Sequence, residues 1–273
     1  MTPGAGAGAV AAPIARWYGR HGRHDLPWRA TRDRWAVLVS EVMLQQTQVA
    51  RVAAVWPEFM TRFPTPEAMA AVPAGEVIAA WGTLGYPRRA RRLWEAAGRI
   101  AAAGWPDDLS ELPGVGRYTA EAVAAQVDSH DAPAIETNIR RVVERRAGRP
   151  LSPSEAAAAS RAAGHPLTGR ERLLALMDIG ALLCRPRDPR CPECPLEPGC
   201  ATAAAPDRMV FAAPLRRRPR QAAYEGSFRQ RRGRVLAELR AGPRPSADLD
   251  AAALATLVED GLAALDGALA RLP

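Results

Sequence analysis

The sequence predicts an all-α protein. Apolar residues recur at helical spacing in run after run, capping signals stand at the start of several runs, and no convincing alternating strand pattern appears before about residue 260. The chain has 273 residues, 48% hydrophobic and 24% charged, proportions ordinary for a soluble globular protein with a buried core. No apolar stretch reaches the roughly 18 residues of a membrane helix.

The elements follow in order. The run 35–49 carries Val37, Leu38, Val42 and Leu44 and has no Gly or Pro. Further helical runs are expected at 52–63, 76–81, 90–103, 119–127, 138–147, 155–163 and 170–183. Thr65 before Pro66 reads as an N-cap followed by proline in the first turn. Ser152, Pro153 and Glu155 read as a capping box with the same proline device. All seven Trp lie at or before Trp105, which puts the bulkiest core in the first half. Composition changes near Ala201 to a stretch rich in Ala, Pro and Arg. Beyond it, helices at 234–240 and 248–261 and an Asp266-Gly267 turn predict a small winged-helix-like module. The expected domains are 1–205, a linker over 206–231 and the module over 232–273.

Charge narrows the partner. Arg and Lys together number 37 against 29 acids, a net charge of +8, and every basic residue is Arg. A surplus of this size suggests a polyanion such as nucleic acid. With no Lys, no lysine amine serves as nucleophile. His21, His24, His130 and His165 show no metal or triad pattern. The Ala/Gly-rich start has no basic leader before an apolar stretch, so a cytoplasmic protein is expected.

Four patterns carry chemistry. Cys184, Cys191, Cys194 and Cys200 are spaced C-x6-C-x2-C-x5-C, a cluster too tight for a disulfide framework. Four thiolates suit zinc or a [4Fe–4S] cluster, and the single C-x2-C knuckle favours iron–sulfur. Arg185, Arg187 and Arg190 in that loop suit phosphate. Second, Leu112-Pro113-Gly114-Val115-Gly116 stands between two helical runs and has the form of a helix-hairpin-helix. Its glycines permit positive φ, and its N–H groups open onto a helix N-terminus, where phosphate binds. Third, Glu41 and Gln45 share one helix face within Ser40-Glu41-Val42-Met43-Leu44-Gln45-Gln46-Thr47. A carboxyl on a mostly apolar helix is expected to hold its proton and serve as a general acid; the bland alternative is a surface Glu. Fourth, Glu136 in Glu136-Thr137-Asn138-Ile139-Arg140-Arg141 stands at a helix start. It reads as an N-cap, or as the second carboxylate of a glycosidic-bond mechanism.

In this combination and order the patterns resemble the helix-hairpin-helix base-excision DNA glycosylases, and within them the MutY adenine glycosylases. Asp25 to Arg29, Leu84-Gly85-Tyr86 and Met177 to Ala181 join the resemblance, which covers about residues 17–200. It implies two helical subdomains with a cluster loop at 184–200, a [4Fe–4S] cofactor on the four cysteines, and monofunctional excision of adenine mispaired with guanine or 8-oxoguanine. It gives Glu41 the protonation of adenine N7 and Glu136 the stabilisation of the sugar cation. Asn138 becomes the polar partner of that carboxylate. Tyr118 takes the place of the Schiff-base lysine of lyase relatives. Gln45 or Gln46, with Tyr86, becomes the wedge that enters the base stack. Arg29, Leu112, Gly114, Val115, Gly116, Arg185, Arg187 and Arg190 become DNA contacts. The expected partner is duplex DNA bound by a monomer, with no membrane. Two departures stand out. Relatives carry Asp where this chain has Glu136, and residues 201–273 are fewer than the Nudix-like domain of long members. A thymine or uracil mismatch glycosylase of the same fold, and a non-catalytic DNA-binding relative, are the alternatives.

Overall fold

The computed structural model describes residues 12–128, 130–205 and 223–273. They group into two units. One takes residues 12–24 and 124–205, the other 25–123 and 223–273.

The first unit contains α1 (Pro13–His21), α8 (Thr137–Ala147), α9 (Pro153–Gly164), α10 (Gly169–Asp178) and α11 (Ala201–Ala204). Its core is built from Ile139, Val142 and Val143 of α8 with Leu173, Leu174 and Leu176 of α10. The capping box at the start of α9 is present in both halves, Ser152 Oγ accepting from Glu155 N and Glu155 Oε2 from Ser152 N. After α10 the chain widens into a π-helical turn, Ile179–Leu183, which delivers it into the cysteine loop. Gly180 makes this possible: a Cβ there would lie 2.6 Å from Asn138 Cβ. Asp178, fully buried, accepts from Arg23 Nε at 2.6 Å and Arg23 N at 2.9 Å. Breaking such a buried pair from one side costs about 3–5 kcal/mol, so this contact fixes the loop after α1.

The second unit contains α2 (Arg34–Leu44), α3 (Val49–Arg62), α4 (Pro66–Ala70), α5 (Ala74–Trp81), α6 (Arg88–Ala103) and α7 (Arg117–Val127), whose last turn passes into the first unit. Trp35, Phe59, Phe63 and Trp81 form its aromatic core, with Phe59 edge-on to Phe63 at 4.9 Å and to Trp81 at 5.9 Å. Trp35 Nε1 donates to Phe63 O, so the buried indole is satisfied. The C-terminal residues add α12 (Phe228–Ala241), α13 (Ala251–Glu259) and an antiparallel sheet of order β1-β3-β2, from Arg244–Pro245, Leu269–Arg271 and Ala264–Asp266. Asp260 fastens this winged-helix-like module to α6: it pairs with Arg88 and Arg232, and its carbonyl accepts from Arg91 Nη1 at 2.7 Å. Pro273 O accepts from Gly75 N at 2.6 Å, at a point where any Cβ would collide.

The helical architecture expected from the sequence is present, with local differences. The run 35–49 is two helices, because Gln46 turns the backbone at φ +55° between Leu44 and Val49. The helix α1 was absent from the predicted runs. α12 starts at Phe228 because Ser227 caps it, accepting from Gln230 N, and Asp250 likewise delays α13 to Ala251. The strand β1 lies before residue 260; at two residues, one a proline on a sheet edge, it has no alternation to read. Of the expected linker, 206–222 lie outside the described residues. Among the described residues no helix is long and apolar enough to cross a membrane.

Candidate active site and nucleic-acid interface

In the second unit, Glu41 lies on α2 at 6% exposure, among the fully buried Val37, Leu38 and Met43. The bland surface reading is therefore excluded. Gln45, half-buried, reaches Gly114 O and Thr119 Oγ1 at 3.4 Å each, which ties the end of α2 to the hairpin. That hairpin forms as expected: Gly114 takes φ +80°, and Val115 N bonds Leu112 O just before α7. Leu112 and Val115 are buried anchors, while Gly116 is exposed at the helix start. Tyr118 is half-buried in the first turn of α7. Arg29 is half-buried in the 3-10 turn Pro27–Arg29.

Gln46 and Tyr86 are both exposed and both left-handed, at φ +55° and +49°. Non-glycine residues in that region cost about 1–3 kcal/mol each unless their surroundings enforce it. Arg89 enforces both. Its Nη1 donates to Val42 O, Met43 O and Gln45 O, and its Nη2 to Thr47 Oγ1 and Gly85 O. Its guanidinium lies 5.3 Å from the ring centres of both Trp81 and Tyr86. Burial pulls its pKa down to about 10, which leaves it charged at neutral pH.

In the first unit, Glu136 caps α8. Its Oε1 accepts from Ile139 N at 2.9 Å, and its Oε2 from Asn138 Nδ2 at 3.1 Å. Asn138 Oδ1 accepts in turn from Arg141 Nη2 at 2.6 Å. Burial raises the Glu136 pKa; the amides of Asn138 and Ile139 and the charge of Arg141 oppose that rise. Arg141 also bonds Gly180 O and Cys184 O, each at 2.6 Å. Arg145, one turn on, donates to Arg185 O, Pro186 O and Cys184 Sγ. Arg146 donates to Leu196 O and Pro198 O.

The four cysteines are unbridged and line one cavity with Arg145 and Arg146. Burial, together with the other three thiols, raises Cys194 to about 11. Thiols held protonated, as Cys191 and Cys194 are, need a cationic group before they can bind as thiolates. Among the described residues no group of three or more His, Cys, Asp or Glu is drawn close enough for a single metal ion. A lone zinc holds four thiolates about 2.3 Å from one centre. An iron–sulfur cluster instead spreads its four ligands over four irons. Arg185 and Arg190 line a neighbouring cavity with Trp17 and His21, whereas exposed Arg187 does not take part.

Residues 39–162 match the model of the HhH-GPD superfamily of base excision DNA repair proteins. The chain is 44% identical over 254 residues to an adenine DNA glycosylase of Mycobacterium tuberculosis, covering 88% of this chain and 82% of that one. The chain belongs to the adenine DNA glycosylases of the HhH-GPD superfamily. A second member, from Mycolicibacterium smegmatis, is 41% identical, with 85% of this chain and 80% of that one covered. Among solved structures, that of a thermostable thymine-DNA glycosylase superposes with a TM-score of 0.62 at 27% identity, over 70% of this chain and 94% of that one. In this family setting the unforeseen residues are Arg89, Arg141, Arg145 and Arg146. Their signal was weak, an arginine pair at i,i+4 on α8 with Arg146 next to its second member, and one more arginine in the basic run 88–92.

The Glu136 environment sets a pH dependence. Its carboxyl is raised above the ordinary 4.5, so the folded chain binds that proton more tightly than the unfolded chain. Stability relative to Glu136→Gln should therefore fall as pH rises from about 4.5 through the raised value, then level off. Urea unfolding of both proteins from about pH 4 to pH 8 checks this. A difference that moves in favour of the wild type as pH rises would contradict it.

Proposed function

We propose that this base-excision glycosylase hydrolyses the N-glycosidic bond of adenine mispaired with guanine or 8-oxoguanine in duplex DNA. The observation that carries the reading is Glu41, a carboxyl buried to 6% exposure on an apolar stretch of α2. A buried carboxyl of this kind has the chemistry of a general acid for a departing base.

The chemistry follows from these residues. A base inside a duplex is out of reach, so adenine must leave the stack; the exposed Gln46 and Tyr86 are assigned to the gap it leaves. Glu41 donates its proton to N7 of the extruded base. The C1′–N9 pair of electrons leaves with adenine, and C1′ becomes an oxocarbenium ion. Glu136, held by the α8 amides and Asn138, stabilises that cation as a carboxylate and takes the proton of the attacking water as the C1′–O bond forms. The chain has no Lys, so no lysine imine forms at C1′ and the reaction ends at hydrolysis. Tyr118 fits this monofunctional assignment. The hairpin Leu112 to Gly116 and the loop arginines Arg185, Arg187 and Arg190 are assigned to phosphate, and Arg29 to a further backbone contact. Cys184, Cys191, Cys194 and Cys200 would hold a [4Fe–4S] cluster, which when bound cross-links the loop that carries those arginines.

Single-turnover base release from duplexes bearing A:8-oxoguanine, A:G, T:G and U:G tests the reading. Adenine release is expected, and Glu41→Gln should slow it by about 10²- to 10⁴-fold, the usual worth of a general acid, while DNA binding persists. Release of thymine or uracil instead, or an unaffected Glu41→Gln, would overturn it. The purified protein should be brown and contain iron, and should lose DNA affinity when the iron is removed. A colourless, zinc-loaded and fully active protein would refute the cluster.

A further inference from the structure

The C-terminal module and the turns that carry Gln46 and Tyr86 enclose a cavity of about 750 Å³ whose arginine-rich wall the chemistry above leaves unused. Arg51, Arg88, Arg229, Arg232 and Arg240 line it, and among the described residues Asp260 is the one acid that does. Most of these cations are engaged. Asp260 holds Arg88 and Arg232, Arg51 donates to Thr83 O, and Arg229 lies 5.6 Å from the ring centre of Tyr224.

Arg240, in the last turn of α12, differs. Its Nε is buried without a hydrogen-bond partner, and among the described residues no carboxylate offsets the cost of burying its charge. An unsatisfied buried donor on a cation is expensive, and an arriving anion would remove that cost. Two exposed aromatic rings stand at the same cavity, Tyr86 at 49% and Tyr224 at 56% exposure. A guanidinium with an unmet donor in a cavity edged by exposed aromatic rings suits a phosphodiester and its attached base.

We propose that this cavity is a nucleic-acid subsite, in which the module grips a backbone phosphate of bound DNA with Arg240 beside the Gln46 and Tyr86 turns. The inference rests on the reading of the protein as a DNA glycosylase and extends it: residues 223–273 become part of the DNA-binding surface.

The test is equilibrium binding of the full chain to a fluorescent mismatched duplex over a range of salt concentrations. Arg240→Met keeps the stem and removes the charge. It should lower the slope of log K against log salt by about 0.9, the share of one phosphate contact, and Arg240→Lys should restore most of that slope. Ala237→Glu, at an exposed position lining the same cavity, adds an anion without disturbing the core, and should weaken binding at least tenfold at low salt. A slope unchanged in Arg240→Met, or an affinity unchanged in Ala237→Glu, with wild-type binding intact, would overturn the subsite alone. A wild-type protein that binds no duplex would overturn the DNA reading and the subsite with it.

Discussion

The guanidinium groups of Arg141 and Arg145 on α8 bind the backbone carbonyls of the cysteine loop, and the rest of the first unit depends on that contact. The loop is rich in proline and has little regular structure, so its inward carbonyls find few partners of their own. Arg141 and Arg145 supply them at Gly180, Cys184, Arg185 and Pro186. Hydrogen bonds to a charged group contribute about 1.5–3 kcal/mol each. A lysine could not substitute, since one planar fork must reach carbonyls on two sides at once. Gly180 lets the π-helical turn come close enough for Arg141 to span it. The same guanidinium holds Asn138, and Asn138 holds Glu136. One helix therefore fixes the carboxylate at its N-terminus and the loop along its flank.

The second unit uses the same device once more. Arg89 ties the C-terminal end of α2 to the turn before α6, and its plane lies against Trp81 and Tyr86. The strain of two left-handed non-glycine residues is thereby confined to the turns that present Gln46 and Tyr86 to solvent. A chain whose only long cations are arginines has many forks to place, and both units place them on backbone carbonyls.

The helices, their caps, the hairpin and the cysteine cluster were legible in the sequence because each is written locally: a period, a capping residue, a Gly at positive φ, a spacing. Glu41 was legible because its apolar neighbours lie within one turn. The arginine forks were not. Arg89 and Arg141 sit in runs of arginine that read as solvated faces, and their burial depends on carbonyls roughly 40 residues away in sequence. The reversal at Gln46 was hidden for a related reason, since no Gly or Pro marks it and its support comes from Arg89. The cavity at Arg240 arises only when the module docks through Asp260 and Pro273, contacts that no local pattern announces.

Glu136 is the carboxylate that the α8 network holds. The most direct measurement is the single-turnover rate of adenine release by wild type, Glu136→Asp and Glu136→Gln on one mismatched duplex, with DNA affinity measured alongside. A carboxylate held to stabilise the sugar cation predicts that Glu136→Gln loses about 10²-fold or more in rate at unchanged affinity, and that Glu136→Asp stays active. A Glu136→Gln protein that releases adenine at the wild-type rate would show that Glu136 only caps α8, and would contradict its assigned role.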